Sequence, residues 1–281
     1  MLKENQWKIV ADSSSDVLSL THVDFASAPL KIMTSEKEYV DDPALNVSEM
    51  VEYLQTYKGR SHTSCPNPED WLVSFGEAEN VFCVTITATL SGSYNAACAA
   101  KAMYEEAHPG RRVHVINTLT AGPECRLIIE KLQSMILSGM GFDSICEEID
   151  DYMQNTGLLF MLESMKNLAN NGRVSPLVAK IAGVIGIRVV GKASDHGDLE
   201  PLDKCRGENK ALETIVRYMK TLGHSAGKVR IAHCFNVEAA RKLKEKILAE
   251  CSRAQVEIYS CRGLCSFYAE RGGLLVGFEK K

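Results

Sequence analysis

Catalytic signatures are what this 281-residue sequence most conspicuously lacks. No G-x-G-x-x-G follows an apolar run that could form a strand. No G-x-x-x-x-G-K-[ST] occurs, so the usual dinucleotide and triphosphate cradles are missing. The G-x-S-x-G match at Gly223-His224-Ser225-Ala226-Gly227 precedes an expected strand instead of following one, so no nucleophile elbow is read there, and H-E-x-x-H is absent, which removes the helical zinc-protease site. The ten cysteines contain no C-x-x-C pair. Cys261 and Cys265 are four apart but have no second cluster at zinc spacing, and no metal site is expected. Long basic runs are also missing. With 32 Lys and Arg against 36 Asp and Glu, the formal net charge of −4 argues against a dominant nucleic-acid-binding role. No apolar run is long and clean enough to span a membrane, since Val178–Val190 carries Lys180 and Arg188. The opening Met-Leu-Lys-Glu-Asn-Gln is not the apolar stretch of a secretory signal. The cysteines are therefore expected as reduced thiols and the chain as cytoplasmic.

What is present is an ordinary globular composition, 45% hydrophobic and 24% charged, long enough for one large domain or two of common size. Over the first 155 residues short apolar runs alternate with helical patterns. Lys8–Ala11, Ala26–Met33, Val81–Thr87 and Val113–Asn117 read as strands. Asn46 and Asn67 start helices, the second with Pro68 in the first helical position and acids in the first turn. Further helices are expected from Gly92 to Glu106, over Ala121–Leu137 and over Asp143–Gln154. This rhythm implies a parallel sheet with crossover helices. Beyond it, strands at Leu158–Leu162, Arg188–Ala193, Leu199–Cys205, Lys228–Cys234, Val256–Ser260 and Gly273–Phe278 mix hairpin and crossover connections. An apolar helix is expected from Pro176 to about Ile185. The fold class is α/β: an N-terminal parallel domain over residues 1–157 and a C-terminal mixed-sheet domain over 158–281, with a ligand cleft between them.

The chemistry sits in hydroxyls at strand-to-helix junctions, where parallel α/β sheets bind ligands. Asp12-Ser13-Ser14-Ser15 follows the first strand, and Thr85 to Ser93 follows another. Thr63-Ser64-Cys65-Pro66 lies in the loop before the Asn67-capped helix. Ser91 is placed at an N-cap with Gly92 behind it, where free backbone N–H groups and the helix dipole favour one small anion, and Thr63 and Ser93 add hydroxyls. Ser91 serves equally well as a plain cap of its own helix. The seven histidines are scattered, and only His233, ending a strand, stands where a ligand would bind. No catalytic residue is assigned.

Taken in order, several stretches carry a resemblance: Ile9-Val10-Ala11-Asp12-Ser13-Ser14-Ser15-Asp16, Tyr39-Val40-Asp41-Asp42, Thr63-Ser64-Cys65-Pro66-Asn67-Pro68-Glu69-Asp70, Leu90-Ser91-Gly92-Ser93-Tyr94, Asn171-Gly172-Arg173-Val174-Ser175, Gly197-Asp198-Leu199 and Lys204-Cys205-Arg206-Gly207. The chain resembles the DegV family of fatty-acid-binding proteins over nearly its whole length. The resemblance implies two α/β domains around one long-chain fatty acid, its carboxylate held by Thr63 and Ser91 and its tail in an apolar tunnel. It implies no cofactor besides that ligand. Some members present the fatty acid to a separate kinase that makes an acyl phosphate. Burying about fourteen methylenes at about 0.8 kcal/mol each gives roughly 11 kcal/mol gross. Association costs of about 4–15 kcal/mol offset much of this. The tunnel would therefore supply affinity and the head-group shell orientation.

Three positions depart from the family pattern. Cys65 replaces the usual Gln. Asn171-Gly172-Arg173 replaces Gly-Gly-Arg, with Asn171 able to take left-handed backbone and Arg173 able to reach an anion. The C-terminal H-T-G-P-G segment is absent, and Tyr268 stands at about the place of its His. A phenol donates to a carboxylate but does not titrate near neutral pH. The expected ligand-binding set is thus Thr63, Ser91, Gly92, Ser93, Ser64, Asp12, Ser13, Arg173 and Tyr268. Ile86, Leu162, Met165, Ile185 and Phe267 are candidates for the tunnel wall. The alternative is an enzyme acting on a small carboxylated or phosphorylated metabolite in the same cleft. It would need a titratable group there, with Asp12, His233, Arg173 or Glu270 as candidates.

Overall fold

The structure, a computed structural model, describes residues 6–175 and 186–280. The helix expected over Pro176–Ile185 lies outside the described residues. Four strands form a parallel sheet in the order β2-β1-β6-β7: β1 (Trp7–Asp12), β2 (Asp24–Ala28), β6 (Asn80–Thr85) and β7 (Arg112–Asn117). Their Val, Ile and Phe runs are apolar on both faces because helices cover both sides. On one side α2 (Pro68–Phe75) and α3 (Ser93–Ala107) bury Trp71, Phe75 and Tyr104 against Val10, Val81 and Cys83. On the other, α4 (Pro123–Leu137) and α5 (Phe142–Gln154) pack Ile128, Leu132 and Ile145 on Ile9, Phe82 and Val84. Each such side chain contributes roughly 2 kcal/mol of burial.

A six-stranded mixed sheet follows in the order β10-β9-β8-β13-β11-β12. It contains β8 (Thr156–Leu162), β9 (Ile187–Ala193), β10 (Leu199–Arg206), β11 (Gly227–His233), β12 (Ala254–Ser260) and β13 (Leu274–Glu279). Only β11 and β12 pair in parallel; the other neighbours are antiparallel. Its outer face is covered by α7 (Glu208–Thr221) and α8 (Val237–Glu250). Helix α4 lies between the two sheets and touches both. Gly277 of β13 makes this fit possible, because a Cβ there would meet the Pro123 carbonyl carbon at 2.5 Å. Across the same contact, Glu130 of α4 accepts from the Arg230 guanidinium of β11 at 2.6 and 2.8 Å.

Two parts of the fold depart from the sequence expectation. The strand expected over Ala26–Met33 divides into β2 and β3 (Lys31–Met33), which belong to different sheets. Pro29 is the physical reason: it has no N–H for the ladder, and the Leu30 amide turns to donate to Ser13 Oγ at 3.0 Å. Strand β3 pairs with β4 (Glu38–Val40) and β5 (His62–Ser64) in a small antiparallel sheet backed by α1 (Val47–Thr56). Thr63 and Ser64, expected in a loop, therefore lie in a strand. Two short helices, α6 (Lys166–Asn170) and α9 (Gly263–Ala269), complete the described fold. Helix α9 carries Tyr268.

Candidate functional site

A narrow cavity with about 70 Å³ of free space opens between the parallel sheet, α9 and one face of the mixed sheet. Most of its wall is aliphatic. Leu158, Phe160 and Leu162 come from β8, where residues two apart share a face. Leu30, Ile86 and Leu264 close the opposite side. The polar lining is confined to Ser14, Thr63, Ser91, Arg173, Cys265 and Tyr268.

Of the expected ligand-binding set, Thr63, Ser91, Arg173 and Tyr268 line this cavity. Thr63 and Tyr268 are 205 residues apart in sequence, yet Thr63 Oγ1 and the Tyr268 hydroxyl are 2.7 Å apart. Burial pushes the Tyr268 phenol up, so it stays neutral and keeps its proton for donation. Its helix α9 is held by Asp41, whose Oδ1 and Oδ2 accept from the Gly263 and Leu264 amides, each at 2.8 Å. Asp16 Oδ1 accepts from the Arg262 amide at 2.8 Å. The two side chains thus take up amides that a helix start leaves unpaired.

Ser91 is not the cap of α3; Gly92 is, and it makes no side-chain cap bond. Ser91 Oγ accepts from the Ser93 amide at 3.3 Å. No acidic residue of α3 itself stands in its first turn, and the carboxyl at its start is that of Asp12, whose Oδ2 accepts from Ser93 Oγ at 2.6 Å. Gly92 lies just behind the wall, where a Cβ would meet Cys65 Sγ at 3.2 Å. Arg173 Nε donates to the Leu90 carbonyl at 3.0 Å, and Nη1 donates to the Asn171 carbonyl. The left-handed residue of this turn is Gly172, at φ +73°, whereas Asn171 has φ −100°. The glycine therefore meets the steric demand, and Asn171 is not called on to do so.

Asp12, Ser13, Ser64, Gly92 and Ser93 are not among the residues that line the cavity. Asp12 is buried at the end of β1. Its Oδ1 accepts from Ser14 Oγ at 2.5 Å, and its Oδ2 accepts from Ser93 Oγ at 2.6 Å and the Ile86 amide at 2.9 Å. Burial raises its carboxyl above the ordinary range while these donors pull the other way. The residue ties β1, the loop after β6 and the start of α3 together. Ser93 is consumed in that knot, and Ser13 accepts the Leu30 amide. Ser64 alternates with Thr63 along β5 and so faces away from Tyr268.

The threonines of the Thr85–Ser93 stretch are likewise taken. Thr85 Oγ1 donates to the Ile116 carbonyl at 3.0 Å, and Thr89 Oγ1 donates to the Gly197 carbonyl at 2.9 Å. Within that stretch Ser91 is the hydroxyl that reaches the cavity. Ser14, Cys265 and Ala121 are lining residues outside the set expected from the sequence. Ser14 shares the serine run with Ser13 and lines the cavity while its hydroxyl donates to Asp12 Oδ1. Among wall candidates, Ile86 and Leu162 line the cavity. Met165 and Phe267 are buried in the neighbouring cores, and Ile185 lies outside the described residues. Of the titratable candidates Asp12, His233, Arg173 and Glu270, only Arg173 lines it.

Two α/β sheets joined by α4, with a hydroxyl-tipped apolar cavity between them, define a class of ligand-enclosing α/β proteins. The family model described as "Uncharacterised protein, DegV family" matches residues 6–281. The chain belongs to the DegV family. It is 41% identical over 277 residues to a DegV domain-containing protein of Streptococcus pneumoniae, covering 97% of this chain and 99% of that one. Among solved structures it is similar to a DegV family protein from Eubacterium eligens loaded with heptadecanoic acid. The TM-score is 0.96 at 44% identity, over 98% of this chain and 100% of that one. It is also similar to the Streptococcus pneumoniae fatty acid kinase (Fak) B3 protein loaded with linoleic acid. Here the TM-score is 0.96 at 41% identity, over 98% of this chain and 100% of that one. Among the described residues no group of three or more His, Cys, Asp or Glu side chains could hold a metal ion, and no helix is long and apolar enough to cross a membrane.

Proposed function

We propose that this protein binds one long-chain fatty acid. The carboxylate is held by Thr63, Ser91 and Tyr268, with Arg173 supplying positive potential, and the tail lies along the wall of Leu158, Phe160 and Leu162. The observation that carries this reading is the make-up of the cavity lining, mostly aliphatic with a few hydroxyls and one guanidinium, together with the Thr63–Tyr268 hydroxyl contact at 2.7 Å. The fatty acids in the two similar structures support it. The 1–157 unit carries the head-group loops and the 158–281 unit closes the tunnel, although Tyr268 crosses from the second unit to complete the head-group shell. The ten free thiols support a reducing, cytoplasmic setting.

Neutral hydroxyl donors, in place of a bidentate clamp, leave the carboxylate oxygens open to a phosphoryl donor. We therefore read the protein as a carrier that hands its ligand to a separate kinase, with Tyr268 in the place of the family's His. The enzyme alternative gains no support from the lining, whose titratable groups besides Arg173 are Cys265 and Tyr268, both pushed up by burial. Native mass spectrometry of purified protein tests the reading. Bound species of a few hundred daltons, released by solvent as free fatty acids, are expected. Protein that carries none, and takes up none after delipidation, would overturn it.

A further inference from the structure

The mixed sheet contributes to the cavity wall through an unusual cross-strand pair. Phe160 of β8 is opposite Gly191 of β9 in the antiparallel register. A Cβ built on Gly191 would stand 2.2 Å from Phe160 Cζ and 2.6 Å from Cε2. Real side chains do not approach so closely, so the ring occupies the space that any residue other than glycine would fill. An aromatic ring in a strand ordinarily stands away from the sheet. Here it lies down across its glycine neighbour, a form of cross-strand packing that covers bare backbone. The ring lines the cavity yet is only 1% exposed. Apart from Tyr268, at the hydroxyl cluster, it is the one aromatic ring on the described lining. It is therefore the largest apolar group whose tilt alters the free space.

We propose that Phe160 sets the longest acyl chain the cavity admits, and that Gly191 is the positioning residue that keeps its ring flat. The proposal rests on the fatty-acid reading above. With glycine at 191 the ring is folded against β9 and the space above it is left to the ligand. Any Cβ at 191 lifts the ring toward the opposite wall of Leu30 and Ile86 and shortens that space. Interiors are packed closely enough that a change of a few heavy atoms is felt by the ligand. The pair thus acts as a depth stop, made of one residue that touches the ligand and one that does not.

The test is the chain-length profile of fatty acids retained from a mixture of saturated acids by delipidated wild type, Phe160→Leu, Gly191→Ala and the double variant, read by mass spectrometry after solvent release. Phe160→Leu is expected to raise the mean retained length by about one carbon, matching the volume vacated. Gly191→Ala is expected to lower it by a similar amount, and adding Phe160→Leu to it should restore the wild-type profile. The Cβ at 191 would also meet the Glu200 carbonyl oxygen at 2.6 Å. Phe160→Leu, which disturbs no backbone, therefore keeps the idea testable if Gly191→Ala folds poorly. An unchanged profile in Phe160→Leu, with ligand still retained, overturns the depth stop while leaving fatty-acid binding intact. Absence of fatty acid from wild type overturns the underlying reading instead. A shortened profile that persists in the double variant overturns the role of Gly191.

Discussion

Removing the Thr63 and Tyr268 hydroxyls, singly and together, measures what the head-group shell contributes apart from the tail. In the ligand-free protein the two groups satisfy each other at 2.7 Å. An arriving carboxylate offers each a charged acceptor. A hydrogen bond to a charged group contributes about 1.5–3 kcal/mol, and the neutral pair it displaces about 0.5–1.5 kcal/mol. With mid-range values, two new bonds less one old bond stabilise the complex by about 3.5 kcal/mol. In Thr63→Val or Tyr268→Phe one charged bond remains and no neutral pair has to be broken. Each single variant therefore loses only about 1–1.5 kcal/mol, roughly five- to fifteen-fold in Kd. The double variant loses the full about 3.5 kcal/mol, a few hundred-fold. The losses are thus more than additive, with a coupling of about 1 kcal/mol, the worth of the hydroxyl pair itself. Titration calorimetry of delipidated protein against saturated fatty acids supplies the numbers. The gain per added methylene, about 0.8 kcal/mol, should be the same in all four proteins, because the tail does not touch these groups. Double-variant affinity within twofold of wild type would refute the head-group assignment, and a changed methylene increment would refute the division of labour.

Helix α9 brings Tyr268 to Thr63 only while its start is held. Asp41→Ala leaves the Gly263 and Leu264 amides buried without acceptors, so urea unfolding is expected to show a loss of about 2–4 kcal/mol together with weaker ligand binding. An unchanged midpoint would show that α9 is held by packing alone. Asp16 yields a pH prediction, since burial pushes its carboxyl from the ordinary carboxylate range up to about 8. The folded state therefore holds a proton that the unfolded chain gives up near its ordinary pKa. The stability this supplies is fully present below that ordinary value and is lost as pH rises toward about 8, levelling beyond. Thermal melts of Asp16→Asn, which keeps an acceptor for the Arg262 amide, should decline less than wild type between about pH 5 and 8; parallel curves would refute the cause.

The helix starts at Asn46 and Asn67, the four parallel strands and the mixed character of the second sheet were legible in the sequence. Each is set by local chemistry: an Asn oxygen for a free amide, a proline in the first turn, apolar runs covered on both faces. The short strands β4 and β5 were not legible, because three residues carry no periodicity and these hold together only by pairing with β3. The site divides along the same line. The residue types that hold a carboxylate, and the ordered stretches shared with the DegV family, can be read one after another along the chain. Which hydroxyls remain free cannot. Asp12 spends Ser93, the Gly197 carbonyl spends Thr89, and Ser91 is left facing the cavity. The sequence by itself thus determined the elements and the chemical inventory, since those follow from neighbours a few residues apart. Only the tertiary structure decided that Tyr268 meets Thr63 and that Phe160 lies across Gly191, because hydrogen bonds and ring packing between distant segments depend on how the sheets and α9 come together.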